Sequence, residues 1–148
     1  MKILNVLLPL LLFGMLITLG YYGYQASQTP LTESLATDDT LPTSFRSAII
    51  NADEEDKPVI LIFSADRCGA CRVLESKTLK SSKVRSMRDQ LIWLKVDVDQ
   101  SKNYDLARRY GVKGIPRTVL LKSNGREVGS LVGFTGPDDF ARFLQKAL

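Results

Sequence analysis

The run Pro58-Val59-Ile60-Leu61-Ile62-Phe63-Ser64-Ala65-Asp66-Arg67-Cys68-Gly69-Ala70-Cys71 decides the fold. Its first half is unbroken apolar sequence, the pattern of a strand buried on both faces. Its second half holds the only two cysteines of the chain, two residues apart, where a helical pattern begins. A loop that short is poorly suited to stapling distant parts of a fold, because closing it removes little chain entropy. It suits a disulfide that is made and broken as chemistry. Redox exchange is therefore the leading assignment for the pair.

On either side the patterns alternate. Residues 43–54 place Phe45, Ala48, Ile49 and Ala52 at helical spacing, with Thr43 or Ser44 as the cap. Residues 68–79 predict a helix with Val73 and Leu74 facing inward, and 82–90 a short second helix or its continuation. Residues 91–97 are a second inner strand. A helix over 101–110, capped by Ser101, stops at Gly111. Strands over 118–121 and 126–132 are joined across Asn124-Gly125, a hairpin signal. Gly136-Pro137-Asp138-Asp139 opens a last helix that buries Phe140, Phe143 or Leu144, and Ala147. The order α-β-α-β-α-β-β-α predicts an α/β fold. Early strands joined through helices run parallel, and the closing hairpin adds antiparallel strands. The expected result is one mixed central sheet flanked by helices on both faces.

The composition excludes several function classes. The chain has no histidine, which removes imidazole-based metal sites, Cys-His or Ser-His catalysis, and haem ligation through imidazole. Two cysteines cannot build a disulfide scaffold. From Leu41 onward 19 Lys and Arg face 13 Asp and Glu, a net charge of +6. The excess is densest in Arg67, Arg72, Lys77, Lys80, Lys83, Arg85 and Arg88. This is either a solvated helical face or a docking surface for an acidic partner or an anionic membrane. No aromatic residues interleave with these charges, so nucleic acid is not an expected partner.

The N-terminus has a different character. Residues 3–22 are apolar apart from Asn5 and Thr18, about the length that spans a bilayer. Lys2 precedes them, and no Lys or Arg recurs before Arg46. The positive-inside rule then puts the N-terminus in the cytoplasm and the domain outside. Tyr21, Tyr22 and Tyr24 would form an interfacial belt. Residues 1–25 are expected to be one transmembrane helix, an uncleaved anchor; a cleaved signal is the alternative, although Tyr24-Gln25-Ala26 is a poor cleavage site. Residues 26–42 are expected to be a flexible linker, and 43–148 the folded domain. The expected location is the inner (cytoplasmic) membrane, single-pass, with the domain in the periplasm or an equivalent extracytoplasmic space. A disulfide can persist there.

This element order, with Cys-x-x-Cys at the end of the first core strand, resembles the thioredoxin fold. Three stretches carry the resemblance. Residues 63–71 are similar to the family's Phe-x-Ala-x-Trp-Cys-x-x-Cys segment, Lys95-Val96-Asp97-Val98-Asp99 to its second core strand, and Tyr110-Gly111-Val112-Lys113-Gly114-Ile115-Pro116 to the segment with its cis-proline. Ala65-Asp66, Cys68, Cys71 and Glu75 resemble the pattern of membrane-linked extracytoplasmic reductases such as the C-terminal domain of DsbD. The departures are Arg67 for the usual Trp, Ala70 for the usual Pro, Ile62 where many thioredoxins bury an Asp, and Arg117 after the proline.

The resemblance implies a set of roles. Cys68, at a helix N-terminus, is the expected nucleophile, with Arg67 and Arg72 adding positive charge near its thiolate. Cys71, one turn on and deeper, would resolve the mixed disulfide. Glu75 shares a helical face with Cys68 and Cys71. It is either a proton carrier for Cys71 or a surface carboxylate paired with Arg72 or Lys95. Lys95 matches a lysine beneath the family's active site, or is an ordinary lysine at the sheet edge. Pro116 is expected to be cis and to face the cysteines. Ile115 would then offer its backbone to an extended substrate. Trp93 is assigned to the core.

Together these point to a thiol:disulfide oxidoreductase acting on protein disulfides. It would serve as a reductase fed by a membrane thiol electron donor, with no cofactor beyond the redox-active Cys68–Cys71 pair. Two alternatives come from other classes: a Cu(I) or Zn thiolate carrier, and a thioredoxin-fold adaptor without chemistry.

Overall fold

The computed structural model describes Met15 and residues 30–148. The expected membrane helix over residues 1–25 lies outside the described residues, Met15 excepted. Among the described residues no helix is long and apolar enough to cross a membrane. Leu31–Leu148 form one compact unit.

Its elements are α1 (Leu31–Thr37), α2 (Thr43–Glu55), β1 (Val59–Ser64), α3 (Gly69–Val73), α4 (Ser82–Arg85), β2 (Ile92–Asp97), α5 (Tyr104–Arg109), β3 (Arg117–Leu121), β4 (Glu127–Val132) and α6 (Pro137–Leu144). The sheet order is β2-β1-β3-β4. β1 and β2 are parallel, with Val59 opposite Ile92 and Ser64 opposite Asp97. β3 is antiparallel to both β1 and β4. The expected mixed sheet with helices on both faces is therefore present.

β1 explains its own composition. It lies between β2 and β3, and its alternate side chains serve two apolar clusters. Val59, Leu61 and Phe63 pack with Leu35, Phe45, Ile49, Leu106 and Val119 on the side of α1, α2 and α5. Ile60 and Ile62 pack with Leu74, Val84, Leu120, Phe140 and Leu144 on the side of α3, α4 and α6. A strand covered on both faces favours apolar side chains on both, hence the unbroken apolar run from Val59 to Phe63.

Several local expectations need correction. The linker expected over 26–42 is structured from Leu31 onward. α1 buries Leu35 to 2 % exposure, and the turn after it buries Leu41. Asp38 accepts from the Thr40 backbone N–H and hydroxyl, and reaches Arg109 on α5 at 3.4 Å. Asp39 pairs with Arg46 on α2 at 2.7 Å. α2 is not capped by Thr43 or Ser44. Pro42 stands at the N-cap, and its carbonyl accepts from Phe45 and Arg46. Val73 is 38 % exposed, whereas Leu74 is buried; the helix widens there into a π-helical turn, Leu74–Leu79. The second helix is only Ser82–Arg85, followed by a 3₁₀ turn, Arg88–Gln90. Ser101 does not cap an α-helix but opens a 3₁₀ turn, Ser101–Asn103, that leads into α5.

The hairpin forms at Asn124-Gly125, by a three-residue loop rather than a two-residue one. Gly125 N–H donates to the Lys122 carbonyl, Lys122 N–H to the Arg126 carbonyl, and Gly125 takes φ +78°. Gly125 also permits close approach. A Cβ there would stand 2.6 Å from Cδ1 of Leu35, so the glycine makes room for α1.

Candidate active site

Both cysteines sit where β1 ends. Val98 N–H donates to the Ser64 carbonyl, closing the end of the β1–β2 pair, and Cys68 N–H donates to Ala65 across a tight turn. That turn delivers Cys68 to the N-cap of α3 with extended backbone angles, φ −81° and ψ 103°. Cys71 follows one turn later and is buried. The two form a disulfide with 5.2 Å between Cα atoms. The Cys71 backbone N–H donates to Sγ of Cys68 at 3.1 Å, so the cap position serves a sulfur.

Beneath the disulfide, on the α3 side of the sheet, opens a cleft of about 320 Å³. Cys71, Glu75, Lys95 and Pro116 all line it, with Ile62, Ser64 and Trp93. Ile62 supplies apolar surface at the position compared with a buried Asp. The carboxylate in this cleft comes instead from the π-helical turn that continues α3: Glu75 accepts from Lys95 Nζ at 3.2 Å, with the side chains 50 % and 62 % exposed. Of the alternatives drawn from the sequence, Glu75 thus has Lys95 as its partner and not Arg72, which donates to the Asp66 carbonyl at 3.0 Å. Lys95 is both the cleft lysine and a sheet-edge lysine, since β2 is the edge strand.

The remaining sequence candidates fall around this centre. The Ile115–Pro116 peptide is cis, and Pro116 is buried at the cleft. Ile115 makes no hydrogen bond to another backbone group among the described residues. Arg67 is exposed and takes no side-chain partner among the described residues. Asp97, at the end of β2, has its carboxyl held below the usual range by hydrogen bonds from Gln100 and the Asp99 N–H.

Two residues take a place in this region that the sequence does not reveal. Trp93 packs against the core cluster as expected, its ring 6.5 Å from that of Phe140, and it also lines the cleft, its indole N–H donating to the Arg88 carbonyl at 3.0 Å and the Arg88 guanidinium lying 5.3 Å from its ring. Thr78 is fully buried and donates its hydroxyl to the Thr135 carbonyl at 2.6 Å. Its place four residues after Leu74 marks it as inward-facing, but its partner is 57 residues away and cannot be read locally. Among the described residues no group of three or more Cys, Asp or Glu side chains converges to hold a metal ion.

The family model for the thioredoxin-like domain matches residues 45–148. Thioredoxin of Griffithsia pacifica is 34% identical over 108 residues, which cover 73% of this chain and 92% of that protein. Mitochondrial thioredoxin of Bos taurus is 33% identical over 104 residues, 70% of this chain but only 58% of its own length. Thiol:disulfide interchange protein DsbD of Neisseria meningitidis is 29% identical over 96 residues, 64% of this chain and 16% of that protein. The crystal structure of its C-terminal domain in the oxidised form superposes with a TM-score of 0.64 at 28% identity, covering 73% of this chain and 97% of that domain.

Proposed function

Since the chain belongs to the thioredoxin-like family and is a thiol:disulfide oxidoreductase, we propose that it reduces disulfides in proteins outside the cytoplasm, anchored by its N-terminal segment and recharged by a membrane thiol donor. The observation that carries this reading is the placement of the disulfide. Cys68 caps a helix with its sulfur on a backbone N–H, and the buried Cys71 faces a cleft shared with Pro116. Likeness to DsbD, a thiol:disulfide interchange protein, supports disulfide exchange as the chemistry.

In the reduced protein the Cys71 N–H and the open end of α3 stabilise a Cys68 thiolate. The thiolate attacks one sulfur of the substrate disulfide. A mixed disulfide forms and the other substrate sulfur leaves as a thiol after taking a proton. Cys71 then loses its proton and attacks Cys68. The Cys68–Cys71 bond forms, and the second substrate thiol is released. Two electrons pass to the substrate, and the donor dithiol restores them. Glu75, in the same cleft as Cys71 and balanced by Lys95, exchanges the Cys71 proton with water. Ile115, whose backbone groups have no partner among the described residues, aligns the substrate segment beside the cysteines.

Replacing Cys71 with Ala in the full chain stops the second attack. Mixed disulfides through Cys68 should accumulate in the native compartment and disappear on adding dithiothreitol; a variant that traps nothing sinks the reading. The reduction potential of the full-length protein against glutathione sets the direction. A value near that of thioredoxin, about −270 mV, fits a reductase, and one near about −120 mV makes the protein an oxidant instead.

A further inference from the structure

The cleft beneath the disulfide carries charge that disulfide exchange does not use. Its inner surface is apolar, from the buried Ile62 and Leu74 and the half-buried Trp93. Three cations line the same space, Lys80, Arg88 and Lys95, against one carboxylate, Glu75. Lys95 is paired with Glu75. The exposed Lys80 and Arg88 have no carboxylate partner among the described residues. Two positive charges are therefore left over beside an apolar space of about 320 Å³.

Arg88 is also held at the cleft. Its guanidinium lies 5.3 Å from the Trp93 ring, and its carbonyl accepts the indole N–H at 3.0 Å. A guanidinium kept in place by an aromatic ring has less freedom to lose on binding an anion, and its planar fork matches a carboxylate. Ligand pockets run from about 300 to 1,000 Å³, so this cleft has room for one ring or a short alkyl chain with its acid group. It touches only one of the two sulfurs. Cys71 and Glu75 line it, and Cys68 does not. A molecule lodged there covers the resolving cysteine and leaves the attacking one open.

We infer that this cleft binds a small carboxylate with an apolar body, held by Arg88 and Lys80, and that the bound ligand slows the attack of Cys71 on a Cys68 mixed disulfide. Binding follows from the lining of the cleft; its effect rests on the reading of Cys68 as nucleophile and Cys71 as resolving cysteine. No bond forms between ligand and protein, and no electron passes to the ligand.

Trp93 is the only tryptophan of the chain, so indole fluorescence of the full-length protein reports on this cleft. Titration with phenylpropanoate should change that emission with a Kd of about 1 mM or tighter. Phenylpropanamide has the same shape without the charge and should bind about tenfold more weakly, as should phenylpropanoate to the Arg88→Gln protein. No change in emission overturns the site. Equal binding of acid and amide, or an Arg88→Gln protein that binds like the wild type, overturns the carboxylate class. The second arm mixes the reduced protein with one equivalent of dithiodipyridine, a neutral disulfide, in a stopped-flow instrument. Attack by Cys68 releases the first thiopyridone, and attack by Cys71 releases the second. Saturating phenylpropanoate should slow the second phase about tenfold or more and leave the first unchanged. Binding that slows neither phase, or both equally, overturns the effect on Cys71. A protein that releases no thiopyridone sinks the redox reading and that effect with it, while the fluorescence arm still decides the site.

Discussion

Glu75 and Lys95 form an ion pair whose members are each half exposed or more. Pairs of that kind contribute about 1 kcal/mol or less to stability, since water and side-chain entropy offset most of the attraction. A stabilising role is therefore a weak reason for a carboxylate in the Cys71 cleft, and a proton-carrying role is the stronger one. Glu75→Gln should leave the urea midpoint nearly unmoved while slowing the release of a Cys68 mixed disulfide by about tenfold or more. Stopped-flow measurement of that step across neutral pH is the check; equal rates would leave Glu75 as a surface residue. What was legible in the sequence at this scale was local. Cys68, Cys71 and Glu75 lie within eight residues on one helical run, so spacing alone assembles them. Thr78 is not legible as part of the site because its partner, the Thr135 carbonyl, lies 57 residues away.

Among the elements, α1 departs furthest from expectation. Leu31-Thr32-Glu33-Ser34-Leu35-Ala36-Thr37 offers two leucines in a polar run, too few for periodicity to tell a helix from a tether. What holds it is tertiary. Leu35 packs into the same cluster as Phe45 and Ile49 and against the hairpin turn at Gly125. The strands and the larger helices were legible because their apolar spacing is intrinsic. The helix caps were not legible because they depend on individual backbone angles. The α1 contact gives a sharp test. Gly125→Ala meets two penalties at once, a φ of +78° that side chains resist and a Cβ driven onto Leu35. A loss of about 1–3 kcal/mol is expected by urea denaturation. Leu35→Ala should cost less stability in the Gly125→Ala background than in the wild type, because the collision partner is gone. An unchanged midpoint for Gly125→Ala would mean that α1 does not dock there.

For the molecule as a whole, the α2–α5 face contains one titratable group that links its packing to pH. Burial pushes the Tyr110 hydroxyl up to about 12, with Glu127 adding to the rise and Arg109 opposing it. Its ring lies 6.0 Å from Phe45 and 6.3 Å from Phe63. Below pH 10.0, the ordinary value, both folded and unfolded chains keep the proton and the contribution is complete. As pH climbs toward 12 only the unfolded chain ionises freely, and stability is lost. Urea midpoints between about pH 9 and about pH 12 should therefore fall less steeply for Tyr110→Phe than for the wild type; parallel slopes would refute the link. A last consequence lies in β1. Its neighbouring residues belong to opposite clusters, odd numbers from Val59 to Phe63 on one side and Ile60 and Ile62 on the other. The strand is thus a two-phase counter that ends one turn before Cys68. Deleting a single residue inside it would exchange the linings of both clusters and rotate the cysteines to the wrong side of the sheet. The reactive sulfurs are kept in place by the parity of a strand buried along its whole length.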